Sequence, residues 1–260
     1  MIGRLPSFDV ALVLRVGGDV LYSHGDLDRV FPLASVTKPI VAWSVLVAVD
    51  RGLTTLDAPA GPPGSTVRHL LSHASGLPFE GRRPAAAPGK RRIYSNEGFD
   101  VLGQLLEDVT GMEIDRWVKQ VIFDPLGMAS AQIPGSPAYA GVASAADLSL
   151  FGAELARPTL VSEPLAALAA MSQFPALAGV VPGYGRFTPC PWGLGVEIRG
   201  EKAPHWSAPD ASARTIGHFG QAGSFVWADR DLTASACFVG EEPFGRWHRE
   251  NWSSLNASLL

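Results

Sequence analysis

The stretch PLASVTKPIVAW, residues 32–43, places a serine and a lysine three positions apart and follows them at once with a proline. Pro39 is tolerated only in the first turn of a helix, because proline lacks an N–H and its ring clashes with the carbonyl four residues back. The helix is therefore predicted to begin at about Ser35 or Val36. Ser35 then lies at the helix N-terminus, where free N–H groups and the helix dipole favour a developing anion.

Lys38 is the candidate base for this serine. It stands one turn along the helix and projects on the same side as Ser35. The apolar sequence that follows should remove water from the ammonium and lower its pKa, and a neutral lysine can activate a serine hydroxyl. The pair also fits a capping serine with a solvated lysine, since a chain of this length contains about one such spacing by chance.

Length and composition narrow the class of protein. The 260 residues suit one domain over residues 1–260, and the shares of 47% apolar and 18% charged residues are those of a soluble globular protein. A net charge of −4 weighs against nucleic-acid binding, and no apolar run is long enough to predict a membrane span. The N-terminus lacks the features of a signal peptide, so we expect a cytoplasmic location.

Strand patterns lie at both ends of the chain, and helical patterns lie in the middle. The predicted strands cover 9–16, 19–24, 192–200, 223–231 and 232–240. The predicted helices after the first cover 66–76, 96–110, 113–123, 144–156 and 244–259. This order predicts an α+β fold. Its antiparallel sheet is built from about 7–24 and 192–240, and a mainly helical region of about 53–190 is inserted.

A second motif, YSN at residues 94–96, precedes the predicted helix. Tyr94 and Asn96 point to the same side of an extended loop. A tyrosine oxygen near a lysine can relay a proton, and an asparagine amide can hold a substrate carbonyl and contact the lysine. The alternative is that Asn96 or Ser95 only caps the helix.

A third motif is HFG, residues 218–220, within a glycine-rich strand pattern. Glycine in a strand often marks a close approach by a ligand or by another backbone. The N–H of Gln221 could pair with that of Ser35 to hold an oxyanion. The alternative is a glycine-rich edge strand with a surface histidine.

Other chemistries find little support. His69 and His73 have a helical spacing for a metal but no glutamate between them, and Cys190 and Cys237 are too few for a four-ligand zinc site. We therefore expect no metal. The basic run at residues 90–92 is typical of a solvated loop.

The motifs SVTK, YSN and HFG occur in the order found in the serine β-lactamase and penicillin-binding-protein superfamily, and the chain resembles its class C-like branch. That branch includes family VIII esterases and D-aminopeptidases. LLSHASGLP (70–78) and the block from 94 to 128 also resemble it, so the resemblance runs from about residue 9 to 240.

The resemblance implies a five-stranded antiparallel sheet flanked by helices, with the site at the junction with the helical region. It would make Ser35 the acylated nucleophile, with Lys38 and Tyr94 sharing the duties of general base and acid. The substrate-binding positions would be Asn96, His218, Phe219, Gly220 and Gln221. It implies no metal or organic cofactor, and a small ester or amide as the partner.

The third motif departs from the family pattern K-[ST]-G. Phe219 offers no hydroxyl, and His218 is expected to be only partly charged at neutral pH. Both changes favour a serine hydrolase of small esters or amides, with esterase ahead of peptidase. Two alternatives stay open: a β-lactamase or penicillin-binding D-amino-acid peptidase, and a non-catalytic binding module.

Overall fold

The structure, a computed structural model, describes residues 5–260. The strands are β1 (Val10–Val16), β2 (Asp19–His24), β3 (Val30–Pro32), β4 (Val142–Ser144), β5 (Gly179–Val181), β6 (Gly185–Phe187), β7 (Glu197–Ile198), β8 (Ile216–Gly220), β9 (Ser224–Asp229) and β10 (Ala234–Gly240). The helices are α1 (Thr37–Asp50), α2 (Val67–Leu71), α3 (Glu97–Thr110), α4 (Ile114–Val118), α5 (Asp124–Leu126), α6 (Ala145–Ala156), α7 (Glu163–Ala169) and α8 (Arg246–Ala257).

The central sheet is antiparallel and has the strand order β2-β1-β10-β9-β8-β7. The two ends of the chain meet in it, because β1 pairs with β10 from Val10 opposite Gly240 to Val16 opposite Ala234. This pairing confirms the predicted α+β fold, in which terminal strands form one sheet around an inserted segment. Within residues 5–260, none of the helices combines the length and the apolar sequence needed to cross a membrane.

The expected number of five strands is wrong, because the sheet has six. The last strand, β7, is short: only Glu197 and Ile198 pair with β8. Gly195 and Gly200 flank it with left-handed φ angles of 84° and 54°, which interrupt the extended backbone of a strand. The pattern over residues 192–200 therefore predicted a strand in the right place but of too great a length.

Helix α1 is the buried centre of the helical side. A 3-10 turn over Ala34–Val36 leads into it, which confirms the predicted helix start. Every residue of α1 from Thr37 to Ala48 is buried. Each large apolar side chain among them contributes about 1.5–3 kcal/mol by leaving water, so the turn that carries Ser35 leads into a firmly packed helix.

Successive side chains along each strand point to opposite faces of the sheet, and this divides the core into two layers. In β1, Ala11 and Val13 face the layer that contains α1 and α6, whereas Leu12 and Leu14 face the layer under α8. Helix α8 supplies Trp252 to that second layer. The sheet is thus covered on both faces.

Candidate active site

The start of α1 is fixed by contacts with the segment before β4. The Thr37 hydroxyl donates to the Ala34 carbonyl at 2.6 Å and accepts from the Gly141 N–H at 2.8 Å. A Cβ on Gly141 would lie 2.6 Å from that hydroxyl, so only glycine fits. Ala34 itself has a left-handed backbone (φ 43°), at a cost of roughly 1–2 kcal/mol. These contacts fix Ser35, the next residue, at the mouth of a cavity.

Lys38 is fully buried beside Ser35. Its Nζ lies 3.4 Å from the Ser35 Oγ and donates to Asn96 Oδ1 at 2.7 Å and to the Ala138 carbonyl at 2.9 Å. None of its hydrogen-bond partners among residues 5–260 is a carboxylate. Burial lowers the pKa of Lys38 to about 7, and the charge of Asp100 opposes that shift. The neutral amine is therefore well populated at physiological pH.

Aromatic rings also surround the Lys38 amine. It lies 4.7 Å from the centroid of the Tyr94 ring and 5.6 Å from that of Phe99. Cation–π attraction stabilises the protonated form in such places. The site thus accommodates both the neutral amine and the ammonium of Lys38. A group that takes up and then returns a proton needs both forms to be tolerated.

Tyr94 and His218 form the next contact. The Tyr94 hydroxyl lies 3.4 Å from His218 Nε2, and His218 Nδ1 lies 2.7 Å from the Phe219 carbonyl. A carbonyl only accepts, so Nδ1 carries the proton. Burial, and then the charge of Lys38, lower the pKa of His218 to about 4. The ring is neutral, and Nε2 accepts from the Tyr94 hydroxyl.

This neutrality corrects the expectation that His218 is partly charged at neutral pH. The expectation used the ordinary pKa of histidine, whereas the ring is only 3% exposed. Burial also raises the pKa of Tyr94, against the opposing effect of the Ser35 hydroxyl. The phenol therefore keeps its proton near pH 7.

Asn96 is free of the capping role that the sequence left open. Its side chain makes no cap bond, whereas the Ser95 hydroxyl accepts from the Gly98 N–H at 2.9 Å. The Asn96 backbone N–H donates to the Phe79 carbonyl at 3.0 Å. Ser95 thus caps α3, and the amide of Asn96 is available to Lys38.

Gly220 allows β8 to approach the start of α1. A Cβ there would lie 2.2 Å from the Leu33 carbonyl oxygen and 3.1 Å from the Ser35 nitrogen. The Ser224 hydroxyl donates to that same carbonyl at 2.7 Å. Glycine is therefore required for this contact, and Gln221, the next residue, lines the same cavity as Ser35.

The cavity has a volume of about 170 Å³ and mostly apolar walls. Its lining residues are Ser35, Phe79, Tyr94, Val181, Pro182, Trp192, Glu197, His218, Phe219 and Gln221. None of these lining residues, which all belong to the described part of the chain, is a lysine or an arginine. The wall therefore suits a neutral, apolar group.

Phe219 serves the core as well as the cavity. Its ring centroid lies 4.9 Å from that of Phe244 and 5.9 Å from that of Trp252, in the layer under α8. Alternation in β8 sends His218 to the opposite face of the sheet. Phe219 is thus a packed wall residue, and its side chain offers no polar contact to a substrate.

Five wall residues were missed by sequence reasoning: Phe79, Val181, Pro182, Trp192 and Glu197. They come from separate segments that only the tertiary fold brings together. Trp192 and Glu197 lie in the predicted strand 192–200, so the sequence marked their segment but not their place in the wall.

Glu197 belongs to a buried ionic cluster behind the cavity. One carboxylate oxygen lies 3.0 Å from Lys202 Nζ and 3.1 Å from His205 Nε2, and the other accepts from Trp206 Nε1 at 2.9 Å. Burial alone would raise the pKa of Glu197, but the Lys202 charge and these hydrogen bonds hold it well below its usual range. The Glu197 carboxylate is therefore balanced by a cation and by hydrogen-bond donors within the cavity wall.

Comparison with known proteins is consistent with this geometry. The chain matches the model of the family described as Beta-lactamase over residues 8–239. A crystal structure described as a β-lactamase from Mycobacterium bovis is 44% identical, with a TM-score of 0.94, over 96% of this chain and 93% of that one.

Two curated relatives match over shorter stretches. Esterase EstB of Burkholderia gladioli is 34% identical over 46% of this chain and 45% of its own length. Penicillin-binding protein 4* of Bacillus subtilis is 26% identical over 51% of this chain and 39% of its own length. The chain thus spans less than half the length of either relative.

Proposed function

The chain belongs to the beta-lactamase family, a family of serine hydrolases, and from this premise we propose that it hydrolyses small esters or amides through an acyl-enzyme on Ser35. One observation carries the proposal: the buried Lys38 amine lies 3.4 Å from the Ser35 hydroxyl, and its hydrogen-bond partners within residues 5–260 are all uncharged. Such an amine is a base strong enough to take the serine proton.

Acylation begins with transfer of the Ser35 proton to Lys38. The Ser35 oxygen attacks the substrate carbonyl carbon, and the carbonyl electrons move to its oxygen. The backbone N–H groups of Ser35 and Gln221 hold that oxyanion. Asn96 keeps Lys38 in place and orients the substrate.

Tyr94 completes the step as general acid. As the bond to the leaving alcohol or amine breaks, the phenol gives its proton to the leaving atom and regains one from the Lys38 ammonium. Water then attacks the carbonyl carbon of the acyl-enzyme and gives a proton to Lys38. As the bond from that carbon to the Ser35 oxygen breaks, Lys38 passes the proton to the Ser35 oxygen, which releases the acid and restores neutral Lys38 and the Ser35 hydroxyl. Neutral His218 holds the phenol in place through Nε2.

The apolar wall favours esters of neutral acids. Recognition of a carboxylate in the cavity would call for a cation or for several hydroxyl donors. Here the third-motif positions supply a neutral imidazole and a phenyl ring, and the Glu197 carboxylate stands in the wall. These features support a carboxylesterase-like activity over peptidase or β-lactamase activity.

The second candidate is a β-lactamase or a penicillin-binding protein, favoured by the 44% identity with the structure described as a β-lactamase. Nitrocefin turnover, or a stable penicilloyl adduct on Ser35 in intact-mass spectra, would support it. Absence of both would leave the esterase proposal ahead.

The test is the variant Ser35→Ala with p-nitrophenyl esters of short acids. We expect hydrolysis to fall by at least about 10³-fold and labelling by a fluorophosphonate probe to disappear. Ser254→Ala, which removes an exposed hydroxyl on α8, should keep both. An unchanged rate in Ser35→Ala would refute the proposal.

A further inference from the structure

We propose that Asp100, acting through Ser136, is a positioning residue that holds the Ala138 carbonyl on Lys38 and favours the protonated state of that lysine. This inference rests on the proposed function, because it concerns the group proposed there as the base. It adds a carboxylate that lies outside the three motifs.

A chain of three hydrogen bonds joins the Asp100 carboxylate to the amine. The Ser136 hydroxyl donates to Asp100 Oδ1 at 2.5 Å and accepts from the Ala138 N–H at 3.1 Å. The Ala138 carbonyl then accepts from Lys38 Nζ at 2.9 Å. The carboxylate therefore fixes the loop whose carbonyl fixes the base.

The geometry of α3 places two of these groups on one face. Asn96 and Asp100 are four residues apart, and the Asp100 N–H donates to the Asn96 carbonyl at 3.1 Å. Asn96 contacts Lys38 directly, whereas Asp100 acts from one turn further along. The same helix thus orients the amine from two directions.

The other titratable groups that face Lys38 are uncharged near pH 7. Tyr94 leads into α3, His73 follows α2, and His218 lies on β8. Burial raises the pKa of Tyr94 and lowers the pKa of both histidines, of His73 well below its usual value. The charged Arg92 lies behind His73 and donates to backbone carbonyls.

Asp100 itself is half-buried. It lines a separate groove of about 680 Å³ on the outer side of α3, together with Glu97, Arg82 and Asp108. Burial raises the pKa of Asp100, and the charge of Glu97 adds to that rise. The hydrogen bond from Ser136 and the charges of Lys38 and Arg82 lower the pKa of Asp100. Partial burial lets its charge act on Lys38 with less screening than at the surface.

The sign of the effect follows from charge. Asp100 favours the ammonium, so its removal should lower the pKa of Lys38 further. More of the amine is then neutral at low pH, and the acidic limb of the rate profile should move to lower pH. Loss of the hydrogen-bond chain should also reduce kcat with little change in KM, because Ala138 no longer orients the base.

The experiment measures kcat/KM against pH for Asp100→Asn, with a short p-nitrophenyl ester. This ratio reports the pKa values of the free enzyme. At pH 5.5, kcat/KM as a fraction of its plateau value should be about threefold higher in the variant than in the wild type. Ser136→Ala should cause a smaller shift of the acidic limb in the same direction. Without the Ser136 hydrogen bond Asp100 protonates more easily, so less negative charge acts on Lys38.

The matched control is Asp108→Asn. It removes the same charge from the same helix and the same groove, but its carboxylate bonds to Gln104 and has no link to Lys38. Its acidic limb should coincide with that of the wild type.

Lysine side-chain NMR follows the titration without turnover, and the chain has only four lysines to resolve. The Lys38 signal, assigned by its loss in Lys38→Met, should titrate at lower pH in Asp100→Asn. An unchanged titration and limb in both Asp100→Asn and Ser136→Ala would overturn this inference while leaving the role of Ser35 intact. A shifted titration with an inert Ser35 would support it and refute the hydrolase proposal.

Discussion

Two lysines of this protein are buried to the same degree and do different things. Lys38 is 0% exposed and Lys202 is 2% exposed. The Lys202 ammonium lies 3.0 Å from the Glu197 carboxylate and also donates to the carbonyls of Pro191 and Ile198. Lys38, in contrast, contacts a hydroxyl, an amide oxygen and a backbone carbonyl.

The difference teaches that the partner, and not burial alone, decides the role of a buried lysine. A carboxylate in contact with the ammonium forms a buried ion pair, which is a structural element. Neutral oxygens solvate the amine only in part, so its pKa falls into the range where a base is useful. The two lysines therefore predict opposite outcomes when each is replaced by methionine.

The largest expected effect is on catalysis. Lys38→Met should lower kcat/KM for a short ester by about 10⁴-fold, or roughly 5 kcal/mol of transition-state stabilisation, because the base proposed for Ser35 is lost. Its thermal midpoint should be equal to or above that of the wild type, since a buried cation has been removed. Steady-state kinetics and calorimetry measure the two quantities. Activity within tenfold of the wild type would show that another group is the base.

The next effect is on stability. Lys202→Met should lower the free energy of unfolding by about 3 kcal/mol, because Glu197 would remain buried with its main counter-charge gone. Urea denaturation at pH 8 measures this. Adding Glu197→Gln to the same variant should restore most of the loss. If Lys202→Met is as stable as the wild type, the cluster contributes little and the contrast with Lys38 fails.

Local sequence predicted the parts of the molecule that depend on neighbours along the chain. Pro39 marked the start of α1, and residues 9–16 and 232–240 predicted strands that pair in the central sheet. Tyr94 and Asn96 stand two residues apart in one loop, so their common direction was readable. The structure brings both to Lys38.

Other features depend on contacts far apart in sequence, and no local pattern announces them. Arg92 stands in a basic run that predicted a solvated loop, yet it is buried and donates to the carbonyls of Cys190 and Gln173. Asp100 and Ser136 are 36 residues apart, and the charge of His218 depends on burial that the sequence does not state. Long-range packing, and not residue type, sets these properties.

The pH dependence of the wild type is expected to be a smaller effect than either lysine substitution, and it tests which buried group titrates. The pKa of Lys38 is about 7 and that of His218 about 4, both lowered first by burial. Hydrolysis needs neutral Lys38, so kcat/KM should fall as pH drops through about 7 and should be about tenfold below its plateau at pH 6, or roughly 1.4 kcal/mol.

The slope of log(kcat/KM) distinguishes the groups. One proton lost from Lys38 gives a slope of about one below pH 7, steepening only near pH 4 if protonation of His218 also releases Tyr94. A profile that stays flat down to pH 5 would contradict a pKa of about 7 for Lys38. It would mean that the neutral oxygens around Lys38 do not tolerate the ammonium at any working pH, so that the contrast with the carboxylate-paired Lys202 is larger than proposed.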